Sequence, residues 1–339
     1  MTHVVVRAPG RVNLIGDHTD YTGGLVLPMA IDRWTVIEGR TCEGHIQLTS
    51  DDDSAPASVP LPVTVEPASI EPRWARYVAA MARELGSTVG IEGSVTSTIP
   101  IGSGLSSSAA LLVATALALG ADPEPTMLAM AARRAEYTAT GVPTGIMDQL
   151  CIASATEGHA TLIDCHSLEV RHLPVPPDVS VVVRFVAPRT LEGSAYADRV
   201  AECARAESEI GPLRLATPAD VDSITDPLVR RRARHVVNEN TRVRAFAEAL
   251  TDGRFADAGT LMLDGHRSLA EDFGTSTREM DDAVTALASL PGVFGARMTG
   301  GGFGGCVVAL CEAGASVPGW VVRPTGRAYR TDDTVNDHS

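Results

Sequence analysis

Pro100-Ile101-Gly102-Ser103-Gly104-Leu105-Ser106-Ser107-Ser108-Ala109-Ala110 is the stretch whose reading decides the fold. Its glycines let the backbone approach an anion closely. Its three successive serines bring hydroxyls and N–H groups to the mouth of an apolar helix expected over residues 109–119. A helix N-terminus carries roughly half a unit of positive charge, so the stretch describes a phosphate cradle. The plainer reading is a serine-capped helix after a flexible loop. It is not a dinucleotide fingerprint, because the last glycine position of G-x-G-x-x-G falls on Ser107.

The cradle has to work without lysine. The 339 residues carry 28 basic side chains, and every one is arginine. That excludes a Walker A loop, a protein-kinase strand lysine and a Schiff-base lysine. The net charge of −14 argues against nucleic acid as a partner. It does not bear on a small anionic ligand, which meets only its local site. The N-terminus has no signal-like apolar core, and no apolar run reaches the roughly 20 residues a bilayer span needs. Cys42, Cys151, Cys165, Cys203, Cys306 and Cys311 form no CxxC pair. They read as reduced thiols of a cytoplasmic protein.

Outward from the cradle, three further stretches carry polar groups in dense array. Arg11-Val12-Asn13-Leu14-Ile15-Gly16-Asp17-His18-Thr19-Asp20-Tyr21-Thr22-Gly23-Gly24 packs one Arg, two Asp and one His into ten residues. Carboxylates accept hydrogen bonds in pairs and suit the hydroxyls of a sugar. A metal site with no evident fourth ligand, or a polar loop with Asx turns, are the rival readings. Gly145-Ile146-Met147-Asp148-Gln149 places an Asp at a helix start after a Gly-Pro break. Taken alone, it is an ordinary dipole-favouring Asp. Thr299-Gly300-Gly301-Gly302-Phe303-Gly304-Gly305 matches G-x-G-x-x-G, but a strand-like run follows it instead of a helix. A backbone loop packed against another loop or a ligand fits better. The run Arg230-Arg231-Arg232-Ala233-Arg234 reads as a solvated helix face, and His45, His172 and His235 as surface or satisfied residues.

The periodicity predicts strands within 35–49, 90–99, 159–164, 180–186, 293–298 and 306–310. It predicts helices over 74–85, 109–119, 124–140, 146–155, 194–210, 227–250, 254–272 and 276–290. Residues 51–62 read as an exposed loop. Pro174, Pro176 and Pro177 mark a boundary between a domain of residues 1–177 and one of 178–339, with a free tail from about 331.

Taken together, these stretches resemble the GHMP kinase family, and within it the galactokinase branch. Residues 11–24 look like the signature of that branch, 100–110 like the family's ATP loop and 299–306 like its third motif. The resemblance runs from Val4 to about Gly314. It implies a two-domain α/β fold with the active site in the interdomain cleft. It also implies ATP-dependent phosphorylation of the anomeric hydroxyl of galactose by a monomer.

By the same resemblance, Asp148 is the candidate base and Arg11 its neighbour, stabilising the transferring phosphoryl group. Asp17, His18, Asp20, Gly145 and Tyr196 would contact the sugar. Trp74 would line the adenine pocket, and Gly102, Ser103, Gly104, Leu105, Ser106, Ser107 and Ser108 would cradle ATP. Ser108 and Glu136 would hold Mg²⁺. The chain departs from the branch at Asp17, where Glu is usual, and in shorter segments before Arg11 and after Gly314. The shorter carboxylate leaves a related sugar-1-kinase as an alternative, acting on galactosamine, galacturonate, arabinose or a natural-product sugar. A non-catalytic sugar and ATP sensor is another.

Overall fold

The computed structural model describes residues 2–122, 124–189 and 195–333. The chain opens with β1 (His3–Asn13), the short β2 (Leu25–Val26), β3 (Pro28–Glu43), β4 (His45–Ser50) and β5 (Ala57–Pro60). Helix α1 (Arg73–Glu84) and β6 (Val89–Ser97) lead to α2 (Ser107–Ala118), α3 (Pro125–Thr140) and α4 (Met147–Ser154). The hairpin of β7 (His159–Asp164) and β8 (Glu169–Pro174) closes this half.

The second half contains β9 (Val179–Ala187), α5 (Tyr196–Ile210), α6 (Pro218–Ser223), α7 (Pro227–Thr251) and α8 (Phe255–Ser268). It continues with α9 (Arg278–Ala288), β10 (Val293–Met298), β11 (Gly305–Glu312), β12 (Trp320–Val322) and β13 (Tyr329–Asp333).

Three sheets organise these elements. The first runs β13-β1-β3-β6-β4-β5, antiparallel except where β4 lies parallel to β6. The second runs β10-β11-β9-β12, and the third β2-β7-β8. Helix α2 is buried all round, from Ala109 to Ala118. Its small and apolar side chains let it sit in the middle of the first half, where an amphipathic helix could not. Other helices begin at residues suited to a helix start. Glu124 caps α3 ahead of Pro125, Asp226 caps α7 ahead of Pro227, and Thr217 makes a capping box at α6.

The 177/178 division falls in the turn between β8 and β9, where the chain leaves the third sheet for the second. A separate apolar cluster fills the space among β9, α5, α7, α9 and β11, with Phe273 and Met298 at its centre. The chain then returns to its start. The tail, expected to be free from about residue 331, instead pairs through Asp333, with Val4 opposite Asp332 and Arg7 opposite Tyr329. A polar sequence is enough for such an edge strand, because one face and one edge remain in solvent. Residues 334–339 and the expected helix start at Ser194 lie outside the described residues. The loop expected over 51–62 holds the four-residue β5, paired to β4.

The arginine-rich run is not a uniformly solvated face. Arg231 is exposed, but Arg232 is buried, donating to Glu202 Oε2 at 2.7 Å and to the Asp272 carbonyl at 2.6 Å. Helical periodicity turns one arginine of a run inward when a buried carboxylate awaits it. His235, one turn further, is fully buried and bonds Ser268 and the carbonyl of Asp17.

Candidate active site

Three stretches far apart in sequence meet at one place. β1 delivers Arg11, the cradle loop delivers Ser106, and the start of α4 delivers Asp148. The guanidinium of Arg11 grips Asp148 with two parallel bonds, Nε to Oδ1 at 2.7 Å and Nη2 to Oδ2 at 2.6 Å. Its third donor, Nη1, bonds the Gly104 carbonyl at 2.7 Å, and its backbone N–H bonds Leu105 O at 3.1 Å. Ser106 adds its hydroxyl to Asp148 Oδ2 at 2.5 Å.

This grip orients the carboxylate in two dimensions, which a point charge such as an ammonium could not do. Arg11 is 2% exposed. Burial opposes its charge, and Asp148 more than offsets that, so its pKa lies above the ordinary value. Asp148 itself keeps 28% of its side chain accessible, open toward the cleft.

Ser106 makes its bond from a left-handed backbone, φ 66°. For a residue with a Cβ that conformation costs about 1–2 kcal/mol. It aims the hydroxyl at Asp148 while Ser107 and Ser108 open α2. Ser103 and Leu105 are the loop's anchors. Both are 1% exposed, and the Ser103 hydroxyl bonds Pro100 O at 2.6 Å. Gly102 and Gly104 take positive φ and pack against Arg189. Ser107 and Ser108 line a cleft with Trp74, Tyr77, Thr35 and Leu111. The Trp74 indole, which donates to Ala55 O at 3.2 Å, forms part of its wall.

Beside that cleft, Ser108 Oγ donates to Glu136 Oε1 at 2.7 Å. Glu136 Oε2 accepts from Gln149 Nε2 at 2.7 Å and Thr144 Oγ1 at 3.0 Å. Burial raises the Glu136 pKa, and the charge of Asp148 adds to the effect. Gln149 Oε1 is buried without a protein partner. Oxygen donors alone, one of them unused, suit a hard divalent cation such as Mg²⁺.

On the other side of Asp148, a polar pocket is walled by Asp17, His18, Asp20, Gly145, Arg189 and Tyr196. Gly145 has no alternative, because a Cβ there would fall 1.8 Å from Asp20 Oδ2. His18 is held neutral, its pKa driven well below 6.5 by burial and by His235 and Arg189. Its ring packs on Phe273 at 4.7 Å and on Tyr196 at 5.5 Å, and Nδ1 meets Tyr21 OH at 3.0 Å. Burial and the neighbouring Asp20 push the Tyr196 phenol well above 10, so it stays a donor. The two aspartates and His18 do not gather at metal-ligand spacing, which removes the metal reading of this stretch.

Burial, followed by the charge of Asp148, raises the Asp20 pKa to about 7. Its folded value lies above its unfolded one, so ionised Asp20 opposes folding. The stability it contributes when protonated is lost as pH rises from about 4 through about 7. Asp20→Asn should therefore melt higher than the parent by a margin that grows over that range and then levels off. Melting curves from pH 4 to 9 check this, and a margin independent of pH would contradict it.

Asp17 is placed differently from a free sugar ligand. It is 1% exposed, with Oδ2 paired to Arg297 Nη2 at 2.9 Å and Oδ1 accepting the Gly300 N–H at 2.7 Å. Arg297 also pairs with Glu239 Oε1 at 2.8 Å, and Glu239 accepts from the Gly16 N–H at 2.9 Å. Despite burial, Arg297 and Arg242 hold the Glu239 carboxyl far below the usual range. This network ties the first motif to the third. Thr299 Oγ1 bridges the N–H and C=O of Asn13 at 2.9 and 3.0 Å, and Gly305 lies against Ser103 O. The glycine-rich third motif therefore braces the cradle and leads into a strand, as its sequence context indicated.

Three charged residues here escaped the sequence reading. Arg189 lies between the cradle and the third motif, donating to Gly302 O at 3.3 Å. Burial and the nearby Arg11 lower its pKa, so two guanidiniums crowd toward one another. Such crowding is relieved by an anion. Arg297 and Glu239 had one available signal, a lone charge within an otherwise buried apolar pattern.

Comparisons with known proteins bear on the family of the chain. The model described as "Galactokinase galactose-binding signature" matches residues 2–41. "GHMP kinases N terminal domain" matches 74–156 and "GHMP kinases C terminal" 246–317. The chain is 41% identical to a galactokinase of Canis lupus familiaris, over 91% of this chain and 84% of that protein. It is 40% identical to one of Homo sapiens, over 92% and 85%. The solved galactokinase of Lactococcus lactis complexed with galactose superposes with a TM-score of 0.86 at 28% identity, covering 96% of this chain and 95% of that one. A mevalonate kinase structure shares the fold, with a TM-score of 0.69 at 20% identity, over 95% of this chain and 99% of that one. On these matches the chain belongs to the galactokinase family of the GHMP kinases.

Proposed function

We propose that the protein transfers the γ-phosphoryl group of ATP to the anomeric hydroxyl of D-galactose, giving galactose 1-phosphate and ADP. The observation that carries this reading is the doubly bonded Arg11–Asp148 pair between a lysine-free phosphate cradle and a polar pocket. Asp17, His18, Asp20, Gly145 and Tyr196 receive the sugar. Asp148 faces the hydroxyl that is to be phosphorylated and takes its proton as the new P–O bond forms. Arg11 cannot deprotonate, so it orients Asp148 and faces the charge that spreads over the phosphoryl oxygens. Arg189 adds a second guanidinium to that wall. Ser108 and Glu136 would hold Mg²⁺, which supplies neutralising charge to the phosphates when bound. Trp74 and the cleft beside it take the adenine.

The same reading assigns the work to a cytoplasmic monomer of two domains divided at 177/178. All six cysteines are free, which fits a reducing compartment, and no helix among the described residues is long and apolar enough to cross a membrane. Family membership and the intact catalytic pair set the non-catalytic sensor aside.

Asp17 sustains a second reading of the substrate. Its short carboxylate is already engaged by Arg297 and Gly300, which leaves one wall of the pocket a methylene thinner than a Glu would. A sugar altered at the group facing that wall would then compete with galactose. Initial rates with galactose, galactosamine, galacturonate and arabinose decide the matter. Galactose should have the highest kcat/KM, by roughly tenfold or more, the scale of a single-group discrimination. A far better rate with another sugar, together with a large gain for galactose in Asp17→Glu, would assign the site to that other sugar.

A further inference from the structure

At the end of the first sheet opposite the nucleotide cleft, three strands bring a thiol, an imidazole and a carboxylate onto one face. β6 lies between β3 and β4. Glu92 on β6 stands opposite Arg40 of β3 and opposite Gln47 of β4. Side chains alternate along a strand, so Cys42, two residues after Arg40, and His45, two before Gln47, share the face of Glu92. The other face carries Ile46 and Ile91, which are 0% and 1% exposed. The shared face is therefore the solvent face, and Cys42 is half-buried on it. The donor atoms of Cys42, His45 and Glu92 all lie within 4.8 Å of one another.

Two details give the cluster the character of a site. Gly90 stands opposite Cys42, and a Cβ there would lie 3.2 Å from the thiol sulfur and collide with the His45 carbonyl. The close approach of β4 to β6 demands a glycine there, and this brings the His45 backbone beside the thiol. The second detail concerns the ring of His45. Nδ1 faces the Glu43 carbonyl at 3.3 Å. Nε2 faces Glu92 Oε1 at 2.7 Å, so the imidazole and the carboxylate already point at one another. A backbone carbonyl on Nδ1 with Nε2 turned outward is also the arrangement that orients metal-bound histidines.

We propose that Cys42, His45 and Glu92 form a Zn²⁺ site, with water in the fourth position. Thiolate, imidazole and carboxylate are the three donor types zinc takes, and in a tetrahedral shell they sit roughly 3.3–3.6 Å apart. Reaching that spacing needs the His45–Glu92 contact to open and the Cys42 sulfur to close by at most about 1.3 Å. Binding releases the thiol proton, and no redox step is involved. Zinc there clips β3, β6 and β4 together. The clip is separate from the nucleotide site. Thr35, on the wall of the nucleotide cleft, is seven residues back along β3 from Cys42, roughly 23 Å at 3.3 Å per residue.

The test uses the full-length protein in its reduced form. Zn²⁺ titration by calorimetry should show one site, and Co²⁺ substitution should give a thiolate-to-metal charge-transfer band with tetrahedral d–d intensity. Cys42→Ser and His45→Ala should each weaken Zn²⁺ binding about 100-fold or more and abolish the band. Cys165→Ser, which alters the other half-buried thiol, should leave both unchanged. The metal-free variants should melt near the parent, since the altered groups face solvent, and Zn²⁺ should raise the melting temperature of the parent alone. A missing band, a band that survives Cys42→Ser, or equal Zn²⁺ affinity in parent and His45→Ala would overturn the proposal. The cluster would then be a His45–Glu92 hydrogen bond beside a thiol that donates to the His45 carbonyl.

Discussion

Asp148→Asn should lower kcat by about 10³-fold, the scale on which a positioned general base acts, while galactose still binds. The substitution keeps the shape of the side chain and removes only its charge. Arg11 Nε and Nη2 lose one of their two acceptors and meet an amide N–H₂ group in its place. The Ser106 hydroxyl loses a charged acceptor at 2.5 Å. The pocket residues that would receive the sugar, Asp20, His18 and Tyr196, sit on other elements and are untouched.

Binding and turnover should therefore separate. Calorimetry would show galactose affinity within a few-fold of the parent, and steady-state assays would show the collapse in kcat. A turnover near that of the parent would remove Asp148 from the chemistry. A loss of binding equal to the loss of kcat would make it a pocket residue. Some stability should also be lost, because Arg11 stays buried with its counter-charge gone. Asp148 is partly open to solvent, so that loss falls short of a fully buried pair.

The largest expected stability effect lies at Arg297. It is 0% exposed and neutralises Asp17 and Glu239, at 2.9 and 2.8 Å. Arg297→Met fits the space but leaves two buried carboxylates. Asp17 would keep only the Gly300 N–H, and Glu239 would keep Arg242 and the Gly16 N–H. Removing one partner of a buried pair costs about 3–5 kcal/mol, a large part of the 5–15 kcal/mol that holds a typical domain.

The pH dependence follows from the sign of the change. Without the guanidinium, burial raises both carboxyl pKa values above their unfolded ones. Ionised carboxylates then oppose folding, so the deficit is greatest near neutral pH and above, and shrinks as pH falls toward the ordinary carboxyl range. Chemical denaturation of Arg297→Met at pH 5 and pH 8 should show the smaller loss at pH 5. Adding Glu239→Gln should recover part of it at pH 8. An equal loss at both values, or no recovery, would mean that Arg297 contributes packing and not charge.

What the sequence made legible follows from how local each feature is. The cradle, the first motif and the Asp148 turn are contiguous stretches whose residue types carry their chemistry. All three converge in the fold, Arg11 reaching Asp148 across 137 residues of chain. Helices with strong periodicity or sharp caps, such as α1, α3 and α7, lie within a residue or so of where the pattern places them.

Non-local features were hidden. β13 is polar and earns its place only by lying beside β1, and β2 and β12 are too short to show alternation. Arg189, Arg297 and Glu239 sit outside any motif, and their roles come from which loops the fold places against them. Asp17 shows the limit from the other side. Its position in the motif suggested a sugar ligand, and its geometry adds a structural duty to Arg297 and Gly300 that spacing could not reveal.

The most direct measurement of the central claim is product identification. The purified protein, Mg·ATP and galactose should yield one phosphorylated sugar in equal amount to ADP, and its phosphorus resonance should couple to the anomeric proton. A phosphate on another hydroxyl, or ADP released without sugar phosphate, would contradict the account.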